Sequence, residues 1–344
     1  MSIGRASKQH NTLFLRPVEL TFHRKCHVII DRGGHVIGVL VCPPTPGETW
    51  DAVVQAATTA MHAACDKMLF PPSACSHRRG NFPAPADGFG FGGGRKTVGK
   101  IKASSQTNRA AMDKLLEDQS IQRMATYPIP VFQAVCFPIY SDYHCAKQTL
   151  LQKNPHLRRI FACSPFAAVT ANLGPVSVSP PHTDAGNKAD GMCLIGALGN
   201  FDADKGGHLV CWDYNLIVRF PASCSILIPS AVVTHSNTPI QDGEDRFSLI
   251  QYSAGGLFRW IANGFRSDLA WAASASAAGL ARREEDRKSR WRTALKKFAL
   301  WKDVKVKNFS GRGRVEVWDE GDVADFSDLT EDETEAPKKR ARRL

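Results

Sequence analysis

The chain has 344 residues, 43% hydrophobic and 22% charged, a balance that supports a buried core and excludes wholesale disorder. Its formal charge is +11, yet residues 316–335 hold ten acids and no Lys or Arg, so the remainder carries 44 basic against 23 acidic residues, net +21. No apolar run reaches the roughly 18–20 residues that span a bilayer, and the start MSIGRASKQHNTLFLRP lacks the apolar stretch of a secretory signal, so an intracellular protein without a membrane partner is expected.

In chain order, residues 27–42 are two β-rich runs around Asp31-Arg32-Gly33-Gly34, a hairpin signal. Residues 48–69 have Ala-rich helical composition after Pro46-Gly47. Residues 71–96 break down into Pro and Gly and end in GFGFGGGRK, read as a flexible connector. Such a loop can also lay its backbone amides against phosphates, although no nucleotide-binding signature follows. Helices are expected over 106–126 and about 140–153.

From Arg159 to Phe265 the texture changes to short β-rich runs separated by Gly, Pro, Asn and Asp, which suggests a sandwich or barrel. The clearest are IFACSPFAAVTANL, GMCLIGAL, GGHLVCWD, NLIVRF, CSILIPS and RFSLIQYSAG. A helical segment is expected from 268 to about 302, with a basic, Trp-containing end. The acidic stretch and the terminal Lys338-Lys339-Arg340-Ala341-Arg342-Arg343 are expected to be disordered, and the basic end is compatible with nuclear import. Ten cysteines occur without any C-x-x-C pair, several inside strand-like runs, and read as free thiols in a reducing compartment.

One constellation carries chemistry. His182-Thr183-Asp184 follows Pro180-Pro181; His235 lies 53 residues later, after CSILIPS; Arg246 follows 11 residues on, in the strand-like RFSLIQY. Two imidazoles and a carboxylate can occupy one face of octahedral Fe(II) and leave three positions for a cosubstrate and dioxygen. An extended H-x-D segment projects both ligands to one side. On an extended 246–252, Arg246, Ser248, Ile250 and Tyr252 share one face, which is chemically odd for a core. A buried guanidinium there needs an anion, and a dicarboxylate fits, with Ser248 adding a third hydrogen bond. H-x-D also arises by chance, and a lone distal His is commonly structural; the order H-x-D, distal His, Arg-x-Ser separates the two cases.

With these residues the chain resembles the Fe(II)/2-oxoglutarate dioxygenases, and within them the TET/JBP group of nucleic-acid base oxygenases, especially its mushroom representatives. The likeness covers roughly residues 160–262. HTDAGN resembles the group's metal motif, HSNTPI the segment around its distal histidine, GGHLVCWD the Gly-Gly strand before it, and RFSLIQY its final strand. The resemblance implies an α+β fold: a double-stranded β-helix (jelly-roll or cupin-like) core at 131–265 with flanking helices. An N-terminal α/β extension would occupy 1–130, a basic C-terminal helix 266–305 and an acidic tail 306–344.

The resemblance further implies His182, Asp184 and His235 as iron ligands, Arg246 and Ser248 on 2-oxoglutarate, and Asn187 and Tyr252 on a base flipped from duplex DNA. Asn172 is a candidate partner for the C1 end of 2-oxoglutarate, where no arginine is evident. His208 reads as a satisfied strand residue. The chain departs from the animal members in having Ala254 where they place a second base-reading histidine, and in lacking their cysteine-rich module. The expected activity is oxidation of 5-methylcytosine in the nucleus. The alternatives are N6-methyladenine, thymine, RNA, a protein side chain, or a non-catalytic nucleic-acid-binding module. Arg95, Lys96, Lys100, Lys102 and the 282–302 helix are candidate phosphate contacts.

Overall fold

The computed structural model describes residues 14–20, 24–44 and 48–304. The expectations on Pro46-Gly47, the acidic stretch and the basic end lie outside the described residues. The chain runs β1 (Phe14–Leu20), β2 (Arg24–Ile30), β3 (Val36–Pro44), α1 (Glu48–Lys67), α2 (Pro72–Cys75), β4 (Ser76–His77), β5 (Gly80–Asn81), β6 (Ala86–Gly90), β7 (Gly99–Lys100), α3 (Gln106–Glu117), α4 (Gln119–Thr126), α5 (Ile129–Val135) and α6 (Phe137–Lys153). It continues through β8 (Ala168–Asn172), β9 (Cys193–Asn200), β10 (Leu209–Cys211), β11 (Leu216–Val218), β12 (Ser225–Ile228), β13 (His235–Asn237), β14 (Asp245–Tyr252), α7 (Gly255–Ala262), α8 (Asp268–Ser274) and α9 (Ala277–Leu295).

The architecture is α+β. A large sheet has the order β1-β2-β3-β12-β9-β14-β8-β6-β7, and a small one the order β11-β10-β13. The paired strands of both are antiparallel. Strands from both sides of residue 130 share the large sheet, because β3 pairs with β12 and β6 with β8.

Alternation along the central strands decides what each face covers. Phe247 and Leu249 of β14, with Val169 and Ala171 of β8, pack under α1, α3 and α4. Helix α1 contributes Val53, Ala57, Met61 and Ala64, a three-to-four-residue spacing that keeps one face inward. Each large aliphatic side chain buried this way is worth roughly 1.5–3 kcal/mol. On the opposite face, Cys193, Ile195 and Ala197 of β9 and Ile226 and Ile228 of β12 meet Leu209, Cys211, Leu216 and Val218 of the small sheet. The core is therefore split by the large sheet, with helices on one side and the small sheet on the other.

Three sequence expectations change. The 106–126 helix is two, because Asp118 is extended and its carboxylate caps α4 by accepting from the amides of Ser120 and Ile121. The 268–302 helix breaks at Ser276, whose hydroxyl caps α9 by accepting from the Gly279 amide. Beyond α9 the chain folds back: the Val36 amide donates to Ala299, the Trp301 amide donates to Gly34, and Phe298 and Trp301 pack on the core. Finally, residues 71–96 are no mere connector, since they contain the β4–β5 hairpin and β6.

The cysteines are thiols rather than disulfides, and Cys26, Cys136, Cys193, Cys211 and Cys224 are buried. No described helix is long and apolar enough to cross a membrane.

Candidate metal centre and cleft

The segment bearing His182 and Asp184 runs beside β13. His182 and His235 exchange both backbone hydrogen bonds, and the Asp184 amide donates to the Ser230 carbonyl. This pairing holds H-x-D extended at the edge of the small sheet and brings three donors together. One atom from each of His182, Asp184 and His235 lies within 4.8 Å of the others. His182 Nε2 is 4.0 Å from Asp184 Oδ1, and His235 Nε2 is 4.0 Å from Asp184 Oδ2.

Each ring is oriented by a backbone acceptor. His182 Nδ1 sits 2.8 Å from the Pro180 carbonyl and His235 Nδ1 2.9 Å from the Val233 carbonyl. A carbonyl only accepts, so Nδ1 carries the hydrogen in both rings and Nε2 keeps its lone pair. Burial and the adjacent His235 hold His182 below the usual imidazole range, which favours the neutral, ligating form. Two imidazoles and one carboxylate, oriented this way, fit a divalent transition metal such as Fe(II).

The strand β14 carries the next candidate residues, Arg246 and Ser248. Arg246 is 1% exposed. Its Nη1 donates to the Ser177 carbonyl at 2.7 Å, and its guanidinium lies 5.8 Å from the ring centre of Phe201 and 6.0 Å from that of Phe220. No carboxylate partners it among the described residues, and its Nε is a buried donor without an acceptor. Burial lowers its pKa to about 10, so it remains charged at neutral pH. A buried guanidinium left this way is a site for an anion.

Ser248, also buried, accepts from Asn172 Nδ2 at 3.0 Å, because strand register sets Asn172 opposite it. Asn172 therefore stands level with Ser248, whereas Thr170 and Ala168 stand level with Ile250 and Tyr252. Its position favours the Arg246 end of the stripe rather than the metal end, where the C1 carboxylate was expected to meet it.

The turn Asp184–Asn187 crosses from the small sheet to the end of β14. There Lys188 donates its amide to Ser253 and Gly255 donates to Gly186. A cleft of about 350 Å³ opens at this crossing, lined by Asp184, Asn187, Ile250 and Tyr252 and by His77, Arg78 and Arg79 of the β4–β5 hairpin. That volume lies within the range of small-molecule sites. Asn187 Nδ2 donates to Ser230 Oγ at 3.2 Å, and the Tyr252 hydroxyl is hydrogen-bonded to Thr170.

The hairpin is the part that sequence reasoning missed. Its only signal was the cationic run His77-Arg78-Arg79 inside a Pro/Gly-rich stretch. Beyond it, Arg95, Lys96, Lys100 and Lys102 line a separate trough of about 1090 Å³ at the start of α3. On α9 the ion pairs Arg287–Glu284 and Lys288–Glu285 join residues three apart. The helix expected to continue to 302 ends at Leu295, and beyond it Phe298 and Trp301 pack on the core. His208 is satisfied by the Ala203 carbonyl at 2.9 Å and by Thr238.

No family model matches the chain, and no curated protein does. Among solved structures it is similar to NgTET1 in complex with 5mC DNA, at 13% identity over 67% of this chain and 77% of that one, with a TM-score of 0.43. It is also similar to a 2OG-Fe(II) oxygenase family oxidoreductase from Burkholderia pseudomallei, at 13% identity over 61% and 92% of the two chains, TM-score 0.31. The viral collagen prolyl hydroxylase of Paramecium Bursaria Chlorella virus-1, in its 2OG complex, shares 16% identity over 25% of this chain and 57% of its own, TM-score 0.20. At such identities and TM-scores these likenesses fix no function, and the chemistry rests on the residues themselves.

Proposed function

We propose that this chain is an Fe(II)- and 2-oxoglutarate-dependent oxygenase that oxidises a methylated base in DNA, 5-methylcytosine first and its hydroxymethyl product further. The observation that carries the reading is the convergence of two Nε2 lone pairs and one carboxylate within 4.8 Å. His182, Asp184 and His235 would hold the iron. Iron, 2-oxoglutarate and dioxygen together supply the oxidising equivalent that turns C–H into C–OH, with succinate and carbon dioxide released.

The protein's own residues orient and enclose. The Pro180 and Val233 carbonyls fix the two rings, while Arg246 and Ser248 take the far carboxylate of the dicarboxylate, with Asn172 beside them. A base inside a duplex is out of reach, so it must be flipped, at a cost of a few kcal/mol. Stacking on Tyr252 returns roughly 1–3 kcal/mol, and the Asn187 amide offers donor and acceptor to the base edge. The two facing antiparallel sheets support a double-stranded β-helix core at 131–265, with 1–130 as its N-terminal extension, 266–305 as a basic C-terminal segment and 306–344 as a tail. A nuclear location goes with this reading.

The test is nucleoside mass spectrometry on purified protein with Fe(II), ascorbate and 2-oxoglutarate. Duplexes would carry 5-methylcytosine, N6-methyladenine or only thymine, and His235→Ala is the control. An oxidised 5-methylcytosine that disappears in the variant is the expected result. Product on another base moves the substrate. Succinate without any oxidised base moves it to RNA or a protein side chain. No succinate from iron-loaded protein leaves a binding module and defeats the proposal.

A further inference from the structure

The β4–β5 hairpin carries three potentially cationic side chains into one wall of the cleft, and they are not equivalent. Arg78 is committed: its Nη1 donates to the Thr183 carbonyl and its Nη2 lies 3.7 Å from the Asp184 carboxylate. His77 packs edge-on against Phe82, 5.2 Å between ring centres, and accepts from the Arg79 amide at 3.3 Å. Burial and the charge of Arg79 hold His77 below the usual imidazole range.

Arg79 differs from both. Its side chain is half-buried and makes no hydrogen bond or ion pair with any described residue, although it stands close enough to Tyr252 to act electrostatically on that hydroxyl. Other arginines of the N-terminal half show the contrast, since Arg109 and Arg158 both grip Asp87.

The hairpin is also rigid. Ser76 pairs with Asn81 and His77 with Gly80. Gly80 has φ +135°, and a Cβ there would sit 2.8 Å from the Val178 carbonyl, so the turn is pinned against the loop that precedes His182. A half-buried, unpaired guanidinium carried on a pinned hairpin, in a cleft with an aromatic ring and a side-chain amide, is suited to receive an anion. The far carboxylate of the dicarboxylate has Arg246, on the other part of β14, whereas Arg79 lines the cleft together with Asn187 and Tyr252. An anion held by Arg79 therefore lies beside whatever enters between those two side chains.

We propose that Arg79 binds a non-bridging oxygen of the phosphodiester next to the nucleotide whose base enters the cleft, so that the Ser76–Asn81 hairpin reads nucleic acid by its phosphate. The inference rests on the base-oxidation reading. It adds a substrate-positioning residue, and it separates a polynucleotide from a free nucleotide, which offers a terminal phosphate of the same chemistry.

The experiment uses the full chain and measures Kd for a duplex with one 5-methylcytosine across a salt series. A second duplex carries neutral methylphosphonates at the linkages flanking the target. The expected results are that R79Q weakens the normal duplex at least tenfold and lowers the slope of log Kd against log salt by about 0.9, the value of one phosphate. R79Q should then add no further loss on the methylphosphonate duplex. R32Q, which removes the same charge on the remote hairpin turn, should bind as the unsubstituted protein does, and matched thermal melting shows that R79Q is folded.

Equal affinity of R79Q and the unsubstituted protein would overturn the proposal, as would equal losses on the two duplexes. Competition by 5-methyl-dCMP that depends on Arg79, with no methylphosphonate effect, would move the phosphate to a monomer and also overturn it. Failure of the underlying reading appears elsewhere, as absence of oxidised base from the unsubstituted protein.

Discussion

Arg246 brings a full charge into a core that offers it one carbonyl and two aromatic faces. Without an anion that is a net cost, so R246M should raise the melting stability of the cosubstrate-free protein by roughly 1–2 kcal/mol. On the proposed function, 2-oxoglutarate should stabilise the unsubstituted protein and should not stabilise this variant. Calorimetry with and without the dicarboxylate checks both, and an R246M that is less stable when free would contradict the argument.

Lys147 poses the same problem away from the site. It is 4% exposed, donates to the Ser164 carbonyl at 2.8 Å, and is pushed down to about 8 by burial and then by Arg159. Below pH 8 both folded and unfolded chains hold the proton, and the folded state bears the whole penalty. Between pH 8 and the ordinary lysine value the folded chain releases its proton first, so stability rises with pH. The unfolding free energy of the unsubstituted protein should therefore gain on that of K147M by up to about 1.4 kcal/mol per unit between pH 8 and 10. A flat difference would refute this.

At this scale the candidate ligands were legible because His182-x-Asp184 is a local spacing and few residue types serve as such donors, although His235 lies 53 residues on and only the fold brings it to them. Arg79 was not, since nothing in a run of cations shows which one lacks a partner. Asn172 was named, but its place was not readable, because only the register of β8 on β14 shows that it stands opposite Ser248.

At the scale of elements, the loop carrying Asp184 and Asn187 is held by a quartet of charges from three places. Lys188 reaches Asp190 and lies 3.3 Å from Asp142 of α6, and Lys297, beyond α9, bridges Asp142 at 2.6 Å and Asp190 at 2.8 Å. Burial opposes ionisation of Asp190, but Lys188 and Lys297 overcome it and hold the carboxyl below its usual range. Lys297 and its partners are partly exposed, so solvent discounts the gain. K297M should cost about 1–2 kcal/mol. Its distinguishing mark is local: hydrogen exchange should quicken at the Lys188 and Gly191 amides, bonded to Ser253 and Lys188, while β12 stays unchanged. Uniform quickening would reduce Lys297 to a general stabiliser.

The hairpin of β2 and β3 and the two-faced strand β14 could be read from alternation. The breaks at Asp118 and Ser276 were written in capping residues that a continuous helical composition obscured. Strands of two residues, such as β4 and β5, have no period to read. The refolding of residues 298–304 onto the core depends on tertiary contacts alone.

For the whole molecule, the large sheet is interleaved rather than sequential: β12 lies between β3 and β9, and β14 between β9 and β8. The frequent short strands announced a β-rich core, but not that the N-terminal segment supplies three strands at one end of its large sheet and two at the other. That order also governs biosynthesis. As the chain leaves the ribosome, β3, β8 and β9 emerge with open edges, and the two strands that seal them come last. His182 and Asp184 are translated 53 and 51 residues before His235, and Arg246 is later still. A chain that has not yet reached His235 therefore cannot bring together the three donors of the proposed metal centre, and Arg246 joins them only 11 residues later.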